Sequence, residues 1–316
     1  MMTAFNPDTY TYTGELSNPH VIPEAKKLYA YLREIFGKKC LTGQMESTWM
    51  GSVEYEMDYI LKHTGKLPAI RGLDFMMNDF EGVADRAIDW WQRGGIPHIC
   101  WHTGPDFASG YKECIENELD WDRALTPGTE AHEALLRGMD SAVPALKRMQ
   151  DARVPVLWRP FHELDGHWFW WSKGGKENFV KLWRLMYDRY TYEFGLNNLI
   201  WLFGYSHMLN DLAAWYPGDR YVDLVGGDSY NPGANGQLFR EVEAIAPKGM
   251  PIPFHECGTV PTEEQMKAEN ALWLMFMVWH TRWLTDTEFN TPESLHAIYN
   301  GNYFVTLDQL PPFTAE

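Results

Sequence analysis

What most constrains this chain is a rhythm: eight apolar runs of strand length recur along it, separated by longer stretches, several with apolar residues at helical three-and-four spacing. The runs are KCLTGQME (39–46), LPAIRGLDF (67–75), IPHICWHT (96–103), VPVLWRPFHE (154–163), NLIWLFGY (198–205), DLVGGDSY (223–230), PIPFHEC (251–257) and LMFMVWHT (274–281). Helices are predicted over 23–36, 132–152 and 176–194, the last ending near Gly195, a suitable C-cap. Short buried strands that alternate with helices pair in parallel through right-handed crossovers. The pattern predicts a single α/β domain over 1–316, a (β/α)8 TIM barrel, with residues 1–20 as an N-terminal extension. An extended irregular loop is expected over 104–130, after the third strand, on the face where barrels build active sites. A doubly wound open sheet would want a glycine-rich turn after its first strand, and LTGQMES offers one glycine.

The strand ends carry the functional signal. Polar or aromatic residues gather there: Glu46, Asp74, Trp101 and His102, His162 and Glu163, Asp228 and Tyr230, His255 and Glu256, Trp279 and His280. Barrels fill their strand middles with aliphatic layers, where charge is costly, whereas strand C-termini face the cleft. Any one of these residues has an ordinary explanation as a satisfied structural acid; their coincidence on most strands converges them on one mouth. Strand alternation puts Glu163, Phe161 and Arg159 on one face and His162 on the other, and in the seventh run it separates Glu256 and Phe254 from His255 and Cys257. Glu163 and Glu256 lie 93 positions apart, on the fourth and seventh strands, nearly across a barrel from one another. Two facing carboxyls suit glycosidic hydrolysis, which needs a proton donor and a nucleophile or base. Sugar rings stack on aromatic faces, so Trp101, Trp168, Trp170, Trp171 and Trp279 match a polysaccharide, although most of the 15 tryptophans are expected in the core.

Other chemistries fit less well. A zinc-protease motif needs histidines at i and i+4, but His162 and His167 are five apart, and Pro160 and Gly166 oppose a regular helix between them. GGDSYNP lacks the GxSxG elbow because Asn231 takes the last glycine position, and Gly174-Gly175-Lys176 lacks the rest of a phosphate loop. Cys40, Cys100, Cys114 and Cys257 form no CxxC pair. No metal and no cofactor is expected. A net charge of −16 argues against nucleic acid and anionic membranes as partners, and no run of about 18 apolar residues occurs.

Taken together, RPFHELDGHWFWW, PIPFHECG, CWHTGP, GGDSYNP and RGLDF resemble glycoside hydrolase family 26, dominated by β-mannanases, over nearly the whole chain. The fourth-strand motif is the most specific. The resemblance implies a (β/α)8 barrel in which Glu163 is the general acid/base and Glu256 the nucleophile. It implies His162 and Trp168 at the cleavage point, Tyr230 on the nucleophile, His102 and Trp101 at a neighbouring subsite, and Trp279 as a platform under the distorted ring. Where the family most often has Asn, this chain has Asp165, and His255 is a further candidate contact. The implied activity is retaining, endo-acting hydrolysis of β-1,4-mannosidic bonds in mannan, glucomannan or galactomannan by a secreted monomer. Open alternatives are the same chemistry on β-1,3-xylan or mixed-linkage β-glucan, exo-acting mannobiose release, or an inactive carbohydrate-binding protein.

Overall fold

The computed structural model describes residues 11–206 and 211–314. Eight parallel strands close into a barrel: β1 (Gly43–Met45), β2 (Ile70–Asp74), β3 (Ile96–Cys100), β4 (Val156–Arg159), β5 (Leu199–Tyr205), β6 (Leu224–Ser229), β7 (Phe254–Cys257) and β8 (Phe276–Val278). Each lies within one of the eight apolar runs. Closure is narrow, with Gln44 of β1 registered against Val278 of β8, and the Gln44 side chain reinforces it by donating to the Trp279 carbonyl at 3.1 Å. Outside the barrel, Cys40–Leu41 pairs in parallel with Phe304–Val305, a contact the sequence did not suggest.

Aromatic bulk fills the layer between strands and helices, where large apolar area is removed from water. Trp201 packs on Trp183 and Tyr187, Phe203 on Phe179 and Trp183, and Trp158 on Tyr190. Trp183 belongs to the helix Gly175–Asp188, continued by a wider turn over Arg189–Glu193 before Gly195, whose φ of 63° gives the left-handed cap expected there.

Two expectations change. The helix predicted over 132–152 is two helices, Glu130–Asp140 and Val143–Asp151, because Pro144 lies in the first turn of the second and has no N–H to continue the ladder. The segment 104–130 is not wholly irregular, since it contains the short helices Tyr111–Glu116 and Trp121–Ala124. Of the expected extension, residues 1–10 lie outside the described residues. The remainder is anchored: Leu16, Ser17 and Asn18 are buried, and the Ser17 amide donates to Asp223 at 2.6 Å.

The barrel interior also departs from the aliphatic filling expected of it. His98, Arg159 and His255 are all 0% exposed, and glycines make room for His255. A Cβ on Gly204 would come within 2.6 Å of the His255 ring, and one on Gly226 within 2.7 Å. Burial and the Arg159 charge push both histidines well below their usual range, so the charge beneath the floor of the cleft is that of Arg159.

Candidate active site

Pro160 cannot donate to a strand ladder, and β4 stops at Arg159. Beyond it Phe161 and Glu163 take φ values of 46° and 50°, in the left-handed region that non-glycine residues avoid. The regular alternation expected through Glu163 is broken there. Phe161 turns into the aromatic packing behind the site, against Phe107, Trp170 and Trp171, while Glu163 faces the cleft. On β7 a register shift between Phe254 and Glu256 makes His255 the extra residue of a bulge. His255 and Glu256 consequently do not oppose one another as alternation predicts: His255 lies near Asp228 inside the barrel, 3.9 Å from it, and Glu256 rises to the floor of the cleft.

The cleft encloses about 530 Å³, and Glu163, Glu256, His102, Tyr230 and Trp279 all line it, as do the strand-end residues Glu46, Asp74 and His280. One oxygen from each of Glu163, Asp228 and Glu256 lies within 4.8 Å of the other two. Arg159 answers that concentration of negative charge, pairing with Asp228 and donating to Glu256 Oε1 at 2.6 Å. Tyr230 donates to Glu256 Oε2 at 2.7 Å, and its ring leans on Trp283. Both oxygens of Glu256 thus accept from fixed donors, an arrangement that orients the carboxyl group.

Glu163 has a different environment. Burial and the neighbouring Glu256 charge raise its pKa to about 7, against the opposing pull of Arg159 and of the Trp168 indole N–H, which donates to Glu163 Oε2 at 2.7 Å. Trp168 therefore lowers the Glu163 pKa through its hydrogen bond, against the net upward shift. The two carboxyls thus sit in different surroundings, Glu256 between two fixed donors and Glu163 buried with its pKa raised.

His102 sits over a relay. Its Nδ1 lies 2.5 Å from Asp74 Oδ2, and its Nε2 lies 2.9 Å from His162 Nε2. Burial works against a charged His102, but Asp74 outweighs it and the net shift is upward; burial and Arg159 drive His162 well below the usual range.

Several expected contacts are elsewhere. Trp101 is 2% exposed and packs among Phe75, Phe80 and Phe107, so it is core and not a cleft wall. His162 is buried beneath His102. Trp170 and Trp171 are fully buried behind the site, their indoles donating to the carbonyls of Thr103 and His162. Asp165 is buried too, accepting from the Ser206 amide at 2.6 Å and its hydroxyl at 2.9 Å, a role that needs an acceptor only. His255 is fully buried below the floor. Conversely, Trp49, Met76, Tyr111, Phe169 and Trp283 line the cleft; Trp49 lies on a loop, and Met76, Tyr111 and Trp283 lie on helical turns of three to six residues, too short for a periodicity to mark them. Arg159 did leave a signal, as a charge in a strand whose neighbours are apolar.

Among the described residues two clusters have spacing a metal would need, Glu163 with Asp228 and Glu256, and Asp74 with Cys100 and His102. In the first, Arg159 already supplies the counter-charge to two of three acids; in the second, Asp74 is engaged by His102.

The sequence model of glycosyl hydrolase family 26 matches residues 17–309. A mannan endo-1,4-β-mannosidase of Thermothelomyces thermophilus is 36% identical over 319 aligned residues, covering 93% of this chain and 63% of that protein. The chain thus spans less than two thirds of that relative's length. Among solved structures, a ruminal family 26 endo-β-1,4-mannanase superposes with a TM-score of 0.88 at 30% identity, covering 98% of this chain and 72% of the other. A β-mannanase from a symbiotic protist of the termite Reticulitermes speratus, complexed with gluco-manno-oligosaccharide, gives 0.86 at 31% identity, covering 96% and 99%.

Proposed function

The chain belongs to glycosyl hydrolase family 26, and from that premise we propose that it hydrolyses internal β-1,4-mannosidic bonds with retention of configuration. The observation that carries the mechanism is the pair of opposed glutamates, with oxygens within 4.8 Å of one another and one carboxyl held at about 7. That proximity suits the separation of about 5–5.5 Å between carboxyl groups in retaining enzymes and is too short for the intervening water of inverting ones. Glu256, oriented by Arg159 and Tyr230, attacks the anomeric carbon as Glu163 protonates the departing oxygen. Loss of the Glu256 charge in the covalent intermediate then lowers the Glu163 pKa, and Glu163 takes a proton from the water that releases the sugar.

Trp279, lining the cleft 5.9 Å from His102, is assigned as the stacking platform. Among the described residues no helix is long and apolar enough to cross a membrane. A polymeric mannan cannot enter a cell, so the enzyme is assigned to the secreted class.

The test is reducing-sugar release from mannan, β-1,3-xylan and lichenan measured side by side, with the products of mannohexaose resolved. Fastest release from mannan with several product lengths is expected. Faster release from xylan or lichenan overturns the substrate, and mannobiose as sole product overturns internal cleavage. Two tryptophans separate core from cleft. Trp101→Ala should lower stability by about 3–5 kcal/mol in urea unfolding with KM unchanged. Trp279→Ala should lower kcat/KM by about tenfold or more, or ~1.4 kcal/mol of lost stacking, with a smaller change in unfolding.

A further inference from the structure

Glu56 lies in the first turn of the helix Tyr55–Thr64 that follows β1, and it is 0% exposed. No basic side chain pairs with it among the described residues. Its carboxylate instead gathers donors from both sides of the barrel closure. Oε2 accepts from the Ser47 amide at 3.1 Å, and Oε1 from the Ser47 hydroxyl at 2.6 Å and the Thr281 amide at 3.0 Å. The Thr281 hydroxyl lies 2.7 Å from the same Oε1 and 3.0 Å from Ser47 Oγ, and its single proton serves one of the two.

What this carboxylate holds is strained. Thr281 has φ 36° and ψ −86°, a conformation that a β-branched residue avoids unless its surroundings impose it. The residues on either side of the clamp form one wall of the cleft. Trp279 and His280 immediately precede Thr281 and line the cavity, while Trp49 follows Ser47 by two positions. Trp49 meets the His280 ring edge-to-face, with centroids 4.7 Å apart and planes at 83°. Strain held by a buried anion, directly behind a binding wall, is the arrangement expected of a preorganised site.

We propose that Glu56 is a positioning residue for substrate binding: its buried carboxylate clamps Ser47 to the strained Thr281 turn and thereby presents Trp279, His280 and Trp49 as one rigid wall to the sugar. Glu56 is not a catalytic residue, because it does not line the cleft. The inference rests on the reading of the cleft as a mannan site. It predicts an effect on binding ahead of chemistry, since Glu163 and Glu256 are held by Trp168, Arg159 and Tyr230, none of which bonds to Glu56.

The experiment is steady-state kinetics on soluble galactomannan and mannopentaose for wild type, Glu56→Ala, Glu56→Gln and Ser47→Ala, each assayed well below its own melting temperature. Glu56→Ala should raise KM by about tenfold or more, the scale of small misplacements in a preorganised site, while kcat stays within about threefold. Glu56→Gln keeps one acceptor oxygen and should recover part of the loss. Ser47→Ala removes one donor to the carboxylate and should raise KM less. A lower melting temperature with KM unchanged would mean that Glu56 merely stabilises the fold, and the proposal is overturned. If Glu56→Ala does not fold, Glu56→Gln and Ser47→Ala decide: a raised KM in both supports the clamp, and a wild-type KM in both overturns it. A wild type that releases nothing from mannan takes down the functional reading and this inference together, whereas an active wild type with indifferent variants takes down the inference alone.

Discussion

Glu256→Ala is expected to lower kcat on mannan by about 10⁴-fold or more, the scale on which losing a covalent nucleophile leaves only binding and electrostatic stabilisation. The fold should survive, because the substitution removes one of three crowded carboxylates and leaves Arg159 paired with Asp228. The groups left behind determine how the emptied position reacts. Tyr230 loses its acceptor, Arg159 loses one of two, and the space under the anomeric carbon opens to a small anion. Azide should enter there, attack an activated aryl β-mannoside from the face Glu256 used, and give an α-glycosyl azide. A β product would exchange the roles of the two glutamates. Near-normal activity on mannan would end the two-carboxylate mechanism altogether.

The proposed catalytic pair is readable from sequence only as far as strand regularity reaches. Strand runs such as NLIWLFGY are legible because a strand buried on both faces is apolar throughout, and all eight fall on barrel strands. Glu163 and Glu256 are legible as acids at the ends of such runs. Their neighbours are not, because the alternation that would orient them holds only while the strand is regular. Left-handed φ values at Phe161 and Glu163, and the bulge that absorbs His255, re-aim those side chains without a mark that the residue letters alone reveal. Irregularity of this kind concentrates where function is built. Trp101 failed for a different reason: sugar platforms and core residues draw on the same side chain, and only burial separates them. Glu56 stayed invisible because an acid in a first helical turn has an ordinary explanation in the helix dipole.

Glu163→Ala should separate the two halves of the reaction. On mannan the leaving sugar needs a proton, and kcat/KM should fall by about 10²–10⁴-fold, the usual worth of a positioned general acid. On an aryl mannoside with a good leaving group, the first step survives while release of the covalent intermediate slows, so a burst should precede a slow steady state. Azide should accelerate that phase and yield the β-glycosyl azide. The pH dependence has a definite sign. Glu163 must be protonated for the first step, so wild-type kcat/KM should decline as pH rises through about 7, and that limb should vanish for the activated substrate in the variant. The same proton is linked to folding. Because the folded value of about 7 exceeds the ordinary value of 4.5, the stability it contributes is fully present below about pH 4.5 and lost as pH rises through about 7. Glu163→Gln, neutral at every pH and able to keep an acceptor for the Trp168 indole, should avoid that loss. Thermal unfolding should therefore find it gaining on wild type between pH 4 and pH 8. An unchanged difference across that range would mean that Glu163 is not held protonated by its surroundings, and the acid role would need another source.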